Sequence, residues 1–175
     1  MSVKPKKHLG QHFLKDESVS KRIAEAIRES GIKNILEIGP GTGALTKYLL
    51  EYPEINLKVI EIDDESVQYL HDHYPHLEVL EKDFLREDLT KIMGSEPFAV
   101  VGNFPYNIST QIIFKVLEYT DQITGVIGMF QKEVAERFVS PHGSKHQDRR
   151  TRPTIFASLQ VQRRSSGQRN EDHMR

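Results

Sequence analysis

The sequence predicts an α/β fold, an open parallel β-sheet with helices on both faces. Three observations predict it. Short apolar runs alternate strictly with segments of helical period as far as residue 139. The runs end in glycine, acid or amide, the punctuation expected at the carboxyl edge of such a sheet, where its ligands sit. A chain of 175 residues amounts to about one domain.

The elements follow in order. "DESVSKRIAEAIRES" (16–30) sets Val19, Ile23, Ala26 and Ile27 at helical spacing behind Asp16 as a candidate N-cap, and Gly31 ends it. "NILEIG" (34–39) reads as a short buried strand and "GALTKYLLEY" (43–52) as a helix. "NLKVIEI" (56–62) is a second strand, and "DESVQYLHDHY" (64–74) a helix capped by Asp63 or Asp64. "LEVLEKD" (77–83) alternates like a third strand, and "FAVVGN" (98–103) makes a fourth. "ISTQIIFKVLEY" (108–119) is helical, "TGVIGMF" (124–130) a fifth strand and "QKEVAERFV" (131–139) a helix.

Composition narrows the classes. Hydrophobic residues make up 37% and charged residues 28%, ordinary values for a soluble protein. No run reaches the roughly 18 apolar residues of a membrane span, and the lysine-rich start lacks a signal peptide's apolar stretch. The chain has no cysteine, so disulfides and thiolate metal sites are excluded. A cytoplasmic protein without membrane attachment is the expectation.

Four strand ends carry candidate chemistry. In "EIGPGTG" (37–43), Gly39, Gly41 and Gly43 follow a strand and allow tight turning and close ligand approach. With Ala44 the loop also fits the looser dinucleotide fingerprint, so NAD competes here, as does a tight turn with no ligand. Glu61 lies 22 positions after Gly39, where a carboxylate accepts from ribose hydroxyls of NAD or S-adenosylmethionine alike. Asp63 reads better as a helix cap. Asp83, ending the third strand, suits an adenine exocyclic amine or a solvated loop acid.

The fourth end, "VVGNFPYNIST" (100–110), separates the candidates. Asn103 offers a side-chain carbonyl and Phe104 a backbone carbonyl whose direction Pro105 helps to fix. Two acceptors converging on an NH₂ suit an enzyme that holds a planar aromatic amine, with Tyr106 stacking on the ring. The bland alternative is a proline turn with a packed tyrosine.

These motifs carry a family resemblance. "NFPYN" (103–107) matches the N-[ILVF]-P-[YFW] signature of amino-methyltransferases. "KHLGQHFL" (7–14), "ILEIGPGTGALT" (35–46), "NFPYNIST" (103–110) and "QKEVAER" (131–137), in this order, resemble the rRNA adenine dimethyltransferase family. "LGQHFL" and "EIGPGTGALT" fit its small-subunit branch better than the large-subunit branch, which shares "PYNIST". The resemblance implies a Rossmann-like class I S-adenosylmethionine-dependent methyltransferase fold. It implies dimethylation of the N6 amines of two adjacent adenosines in a hairpin loop near the 3′ end of 16S rRNA. S-adenosylmethionine would be the methyl donor, with no metal, and the small ribosomal subunit precursor the partner of a protein monomeric at full length. Residue by residue, it places His12, Leu14, Gly39, Glu61, Asp83 and Asn103 at the cofactor, and Asn103, Phe104, Pro105 and Tyr106 at the target amine. Lys4, Lys6 and Lys7 suit RNA phosphates or a solvated terminus. The alternatives are a large-subunit rRNA adenine methyltransferase and a non-catalytic rRNA-binding ribosome-assembly factor.

The resemblance divides the chain into a methyltransferase domain, residues 1–145, and an atypical basic tail, residues 146–175. From residue 145 onward, eight Lys or Arg face three acids, a balance of +5 that leaves −6 for the remainder. The family would continue with two more strands and a helical domain. The expectation is therefore an incomplete sheet, a fifth strand with an uncovered edge and a disordered tail. A frameshift or artificial end explains this change of character better than an RNA-binding tail.

Overall fold

Six parallel strands form one sheet in the order β3-β2-β1-β4-β5-β6. They are β1 (Asn34–Ile38), β2 (Asn56–Glu61), β3 (Glu78–Glu81), β4 (Phe98–Asn103), β5 (Ile123–Met129) and β6 (Thr154–Phe156). The computed structural model describes residues 17–104, 107–130 and 154–156. The helices are α1 (Glu17–Ser30), α2 (Thr46–Leu49), α3 (Asp64–His73), α4 (Leu89–Met93) and α5 (Ser109–Glu118). Strand order reverses between β1 and β4, and the crevice at such a reversal is where open α/β sheets hold ligands.

Strand alternation sorts the apolar residues into two cores. Ile35, Val59, Ala99, Val101 and Ile127 pack with Ile23 and Ile27 of α1, Leu49 of α2 and Leu70 of α3. Leu36, Ile38, Ile60, Val100 and Val126 face the other way, onto Leu89 of α4 and Ile112, Ile113 and Val116 of α5. The near-continuous apolar strands of the sequence thus reflect burial on both faces. Among the described residues no helix is long and apolar enough to cross a membrane.

Local chemistry fixes the boundaries. Asp63 caps α3, its Oδ2 accepting from the Ser66 N–H at 3.0 Å and the Ser66 hydroxyl at 2.8 Å. This is the N-cap geometry expected of aspartate. The segment expected as a helix over 43–52 is regular only over α2. Gly43 has φ +84°, which a right-handed helix cannot use. The chain around α2 makes i→i+3 bonds, as in Tyr48 N–H to the Leu45 carbonyl at 3.0 Å and Tyr52 N–H to that of Leu49 at 3.2 Å. Helix α4 was not foreseen, although its caps were visible: Asp88 accepts from the Thr90 N–H at 3.0 Å, and Gly94 closes the helix at φ +74°.

The expectation of an uncovered fifth strand is corrected. Strand β6 pairs with β5, Gly125, Val126 and Ile127 standing opposite Thr154, Ile155 and Phe156. Thr-Ile-Phe is a β-branched and aromatic triplet that suits a strand. The remainder of the 146–175 tail and the helix expected over 131–139 lie outside the described residues.

Leu36 tests the central strand. It is fully buried on β1, so Leu36→Ala should cost about 2–5 kcal/mol, the transfer loss plus a cavity. Urea unfolding should show a lower midpoint at unchanged slope. A loss under about 1 kcal/mol would mean that the surrounding side chains collapse into the space.

Candidate functional site

The carboxyl ends of four adjacent strands bring the predicted residues into a row. In spatial order these are Asp83 after β3, Glu61 ending β2, Gly39 after β1 and Asn103 ending β4. Three strand spacings of about 4.8 Å make the row about 14 Å long. Sequence separation had concealed this order, since Asp83 and Asn103 are near in the chain yet occupy opposite ends of the row.

The glycine turn is the best-defined part. Gly39, Gly41 and Gly43 have φ of +62°, +57° and +84°, the left-handed region open to glycine at no steric cost. The Gly39 N–H donates to the Ile60 carbonyl at 2.9 Å, carrying the β1–β2 pairing into the loop. A Cβ on Gly43 would lie 2.8 Å from Cε2 of Tyr74. The ring of Tyr74, just past α3, therefore packs directly on the turn.

Glu61 ties that turn to β2. Its Oε2 accepts from the Gly41 N–H at 3.0 Å, and its Oε1 from the N–H groups of Ile62 and Asp63 at 2.9 and 3.0 Å. A carboxylate has about four lone-pair positions. Three are used, and Oε2, with one donor, keeps capacity for another. Burial pushes the Glu61 carboxyl above its ordinary range, while the backbone N–H groups of Asp63, Gly41 and Ile62 pull it back.

Asp83 has a local task as well. Its Oδ1 accepts from the Leu85 N–H at 3.0 Å, and its Oδ2 faces Arg86 Nε at 3.4 Å. Its side chain remains 32% exposed, so the carboxylate shapes a turn and still reaches solvent. Lys115 of α5 holds this turn from behind, Nζ donating to the Leu85 carbonyl at 3.1 Å.

Asn103 is half-buried on the face of β4 that also carries Val101. Phe104 turns the other way. Its N–H donates to the Met129 carbonyl at 3.1 Å and its ring stacks on Phe130 at 4.4 Å between centroids. The structure thus brings together Gly39, Glu61, Asp83, Asn103 and Phe104. His12, Leu14, Pro105 and Tyr106, like Lys4, Lys6 and Lys7, lie outside the described residues.

Sequence reasoning missed two residues. Glu37 is buried within β1 and accepts from the Thr46 hydroxyl at 2.7 Å. Burial pushes its carboxyl up to about 8, the Thr46 hydrogen bond opposing and the nearby Glu61 reinforcing the rise. The available signal was an acid inside an otherwise apolar strand. Ile62 is 50% exposed directly after Glu61, an apolar face beside the carboxylate. Its signal was an apolar residue between two acids at the end of the expected strand. Among the described residues, no three His, Asp or Glu side chains gather into a metal-sized cluster.

Residues 2–164 match the family model described as ribosomal RNA adenine dimethylase. The chain is 56% identical over 145 residues to the ribosomal RNA small subunit methyltransferase A of Flavobacterium johnsoniae, covering 82% of this chain and 55% of that protein. It is 52% identical over 146 residues to the same-named protein of Cytophaga hutchinsonii, covering 82% and 56%. The chain thus spans about half the length of these relatives. Among solved structures it is similar to the 23S rRNA methyltransferase ErmE, with TM-score 0.63, 32% identity and coverage of 75% of this chain and 53% of that one. A dimethyladenosine transferase from Plasmodium falciparum follows at TM-score 0.58 and 32% identity, with 76% and 48% covered. The fold is the Rossmann-like methyltransferase fold expected from the motifs.

The buried Glu37 has a consequence for stability. The folded chain keeps its proton up to about 8, whereas the unfolded chain releases it near 4.5. Between those values the folded state binds more protons, so stability should fall as pH rises through the window. Glu37→Gln keeps an acceptor for Thr46 and removes the titration. Thermal unfolding across the window should show a shallower decline in this variant; an unchanged slope would reject the assignment.

Proposed function

Because the chain belongs to the ribosomal RNA adenine dimethylase family, we propose that it derives from an S-adenosylmethionine-dependent enzyme dimethylating adjacent adenosines of 16S rRNA. The observation that carries this reading is the row of Asp83, Glu61, Gly39 and Asn103 along one sheet edge at the point where strand order reverses. The residues present fit the cofactor. The left-handed glycines leave a backbone cradle, Oε2 of Glu61 keeps capacity to accept from a ribose, Ile62 offers an apolar face to adenine, and the partly exposed Asp83 suits its exocyclic amine. In this reading His12 and Leu14 complete the pocket.

When bound, the sulfonium supplies an electrophilic methyl group, so the protein's part is positioning and electrostatics. The adenine N6 lone pair is delocalised into its ring and is a weak nucleophile. Accepting its two protons on the Asn103 side-chain carbonyl and the Phe104 backbone carbonyl favours a pyramidal nitrogen with its lone pair directed outward. Tyr106 stacks on the base once it leaves its own stack, offsetting part of an unstacking cost of a few kcal/mol. After one transfer the amine retains one proton, which permits a second. A cytoplasmic protein, monomeric at full length, is consistent with such work on ribosomal subunits.

Similarity to ErmE favours a second reading, a large-subunit target, at lower identity than the small-subunit relatives. One experiment separates these readings from that of a non-catalytic assembly factor: methyl transfer from labelled cofactor to unmethylated 30S particles, with 50S particles in parallel. The 30S particles should be labelled. Label in 50S alone selects the second reading, and cofactor binding without transfer selects the assembly factor.

Two variants test the residue roles. Glu61→Ala should weaken cofactor binding on the order of 1–3 kcal/mol, the range for leaving buried partners unsatisfied. Calorimetry giving unchanged affinity, or tight NAD binding by the parent, would reject the ribose assignment. Asn103→Ala should damage methyl transfer more than cofactor binding, and equal losses would restrict Asn103 to the cofactor pocket.

A further inference from the structure

Two glycines face each other where the sheet's apolar columns should continue. Phe98 and Val100 on β4 and Val126 and Phe130 bordering or within β5 belong to one core, and Gly102 and Gly128 are register partners in the same columns. Neither glycine has a positive φ; the described residues that do are Gly31, Gly39, Gly41, Gly43 and Gly94. Backbone conformation therefore does not demand glycine at either position. Space does.

A Cβ on Gly128 would lie 2.0 Å from the Gly102 carbonyl oxygen and 2.5 Å from Cε2 of Phe104. A Cβ on Gly102 would lie 2.7 Å from the Ile38 carbonyl oxygen and 3.3 Å from Cε1 of Phe104. The Phe104 ring thus spans both glycines, one edge over each, and is 5% exposed. Strand glycines commonly mark close approach by another group; here neighbouring carbonyls come nearest, and the side chain of the proposed target-site residue follows at both positions. Its ring is held by the glycines and Phe130, and its N–H by the Met129 carbonyl at 3.1 Å. With both anchored, the direction in which its peptide carbonyl leaves β4 is constrained.

We propose that Gly128 is a positioning residue for methyl transfer, its missing side chain letting the Phe104 ring fold onto the sheet and thereby aiming the Phe104 carbonyl. The proposal rests on the function assigned above, in which that carbonyl accepts from the target amine. Simple core filling predicts something different: a general loss of stability and of cofactor binding together. Aiming predicts a split, because Gly128 lies on β5 whereas the glycine turn, Glu61 and Asp83 lie on or beyond β1, β2 and β3.

The test uses the whole chain with Gly128→Ala, Phe104→Leu and the double variant. Gly128→Ala should lower kcat for methyl transfer at least about tenfold while the Kd for S-adenosylhomocysteine stays within about twofold. The double variant should recover only the share due to the ring, because leucine relieves the 2.5 Å contact with residue 104 while the 2.0 Å contact with the Gly102 carbonyl oxygen remains. Phe104→Leu alone leaves the glycines intact and should show the same split in milder form, which serves if Gly128→Ala does not fold. Carbon-13 resonances of the Phe104 ring and carbonyl should move in Gly128→Ala relative to the parent. A parent-like kcat, parallel losses in kcat and Kd, or unmoved Phe104 resonances would overturn the proposal. A parent that binds S-adenosylhomocysteine but methylates no rRNA would refute the proposed function instead, and the Phe104 resonances would then decide the placement by themselves.

Discussion

The carboxylate of Glu61, gathered by three backbone N–H groups, is the interaction on which the sheet's carboxyl edge depends. Two of the donors, Ile62 and Asp63, are local and fix how the chain leaves β2. The third comes from Gly41, 20 residues earlier, and joins the β1 turn to β2. A buried peptide N–H left without a partner costs about 1–3 kcal/mol. The Gly41 bond therefore holds a loop whose three left-handed glycines would otherwise leave it many conformations. Asp63, placed by its own N–H on Glu61, starts α3 by capping it. That helix then returns Tyr74 onto Gly43. One carboxylate organises a strand exit, a helix start and the turn between them.

A second buried carboxyl lies close by, and its partners differ. Glu37 receives one hydroxyl bond from Thr46, whereas Glu61 receives three peptide N–H groups. Donors to a carboxylate stabilise its ionised form, and burial without enough of them favours the neutral form. Two like charges at this edge would repel. The unequal supply of donors favours the ionised form more at Glu61 than at Glu37.

The strands were legible because burial on both faces writes them as apolar runs; β4 has its expected bounds, and those of β1, β2 and β5 differ by one residue at most at either end. Helix α2 was over-read because periodicity carries no information about φ, and Gly43 is left-handed. Helix α4 was overlooked because five residues are too few to show a period, although Asp88 and Gly94 marked its ends. At the site, the motifs named Gly39, Glu61, Asp83 and Asn103, and topology brought their strand ends side by side. Motifs could not reveal that Glu61 is already bonded to Gly41, nor that Asp83 shapes its own turn, because those contacts exist only after folding. Glu37 was quoted within the glycine motif and passed over, since an acid before a turn normally faces water. Gly102 and Gly128 were invisible for a related reason: a strand glycine signals an approach, and only the structure shows what approaches.

The segment from Leu85 to Gly94 contributes no strand to the sheet, and its position comes largely from residues that follow it by about thirty places. Lys115 holds the Leu85 carbonyl, and the Tyr119 hydroxyl accepts from the Leu89 N–H at 3.4 Å. Gln122 accepts from the Thr90 hydroxyl at 2.8 Å and donates to the Gly94 carbonyl at 2.6 Å. During synthesis, a nascent chain that had emerged only through β4 would contain every residue of the Asp83 turn but none of these anchors. The strand that leads into that turn would have its pairing partner β2, yet the turn would lack its backing until α5 and Gln122 left the ribosomal tunnel. Synthesis therefore delivers the Asp83 end of the edge before the parts that hold it in place.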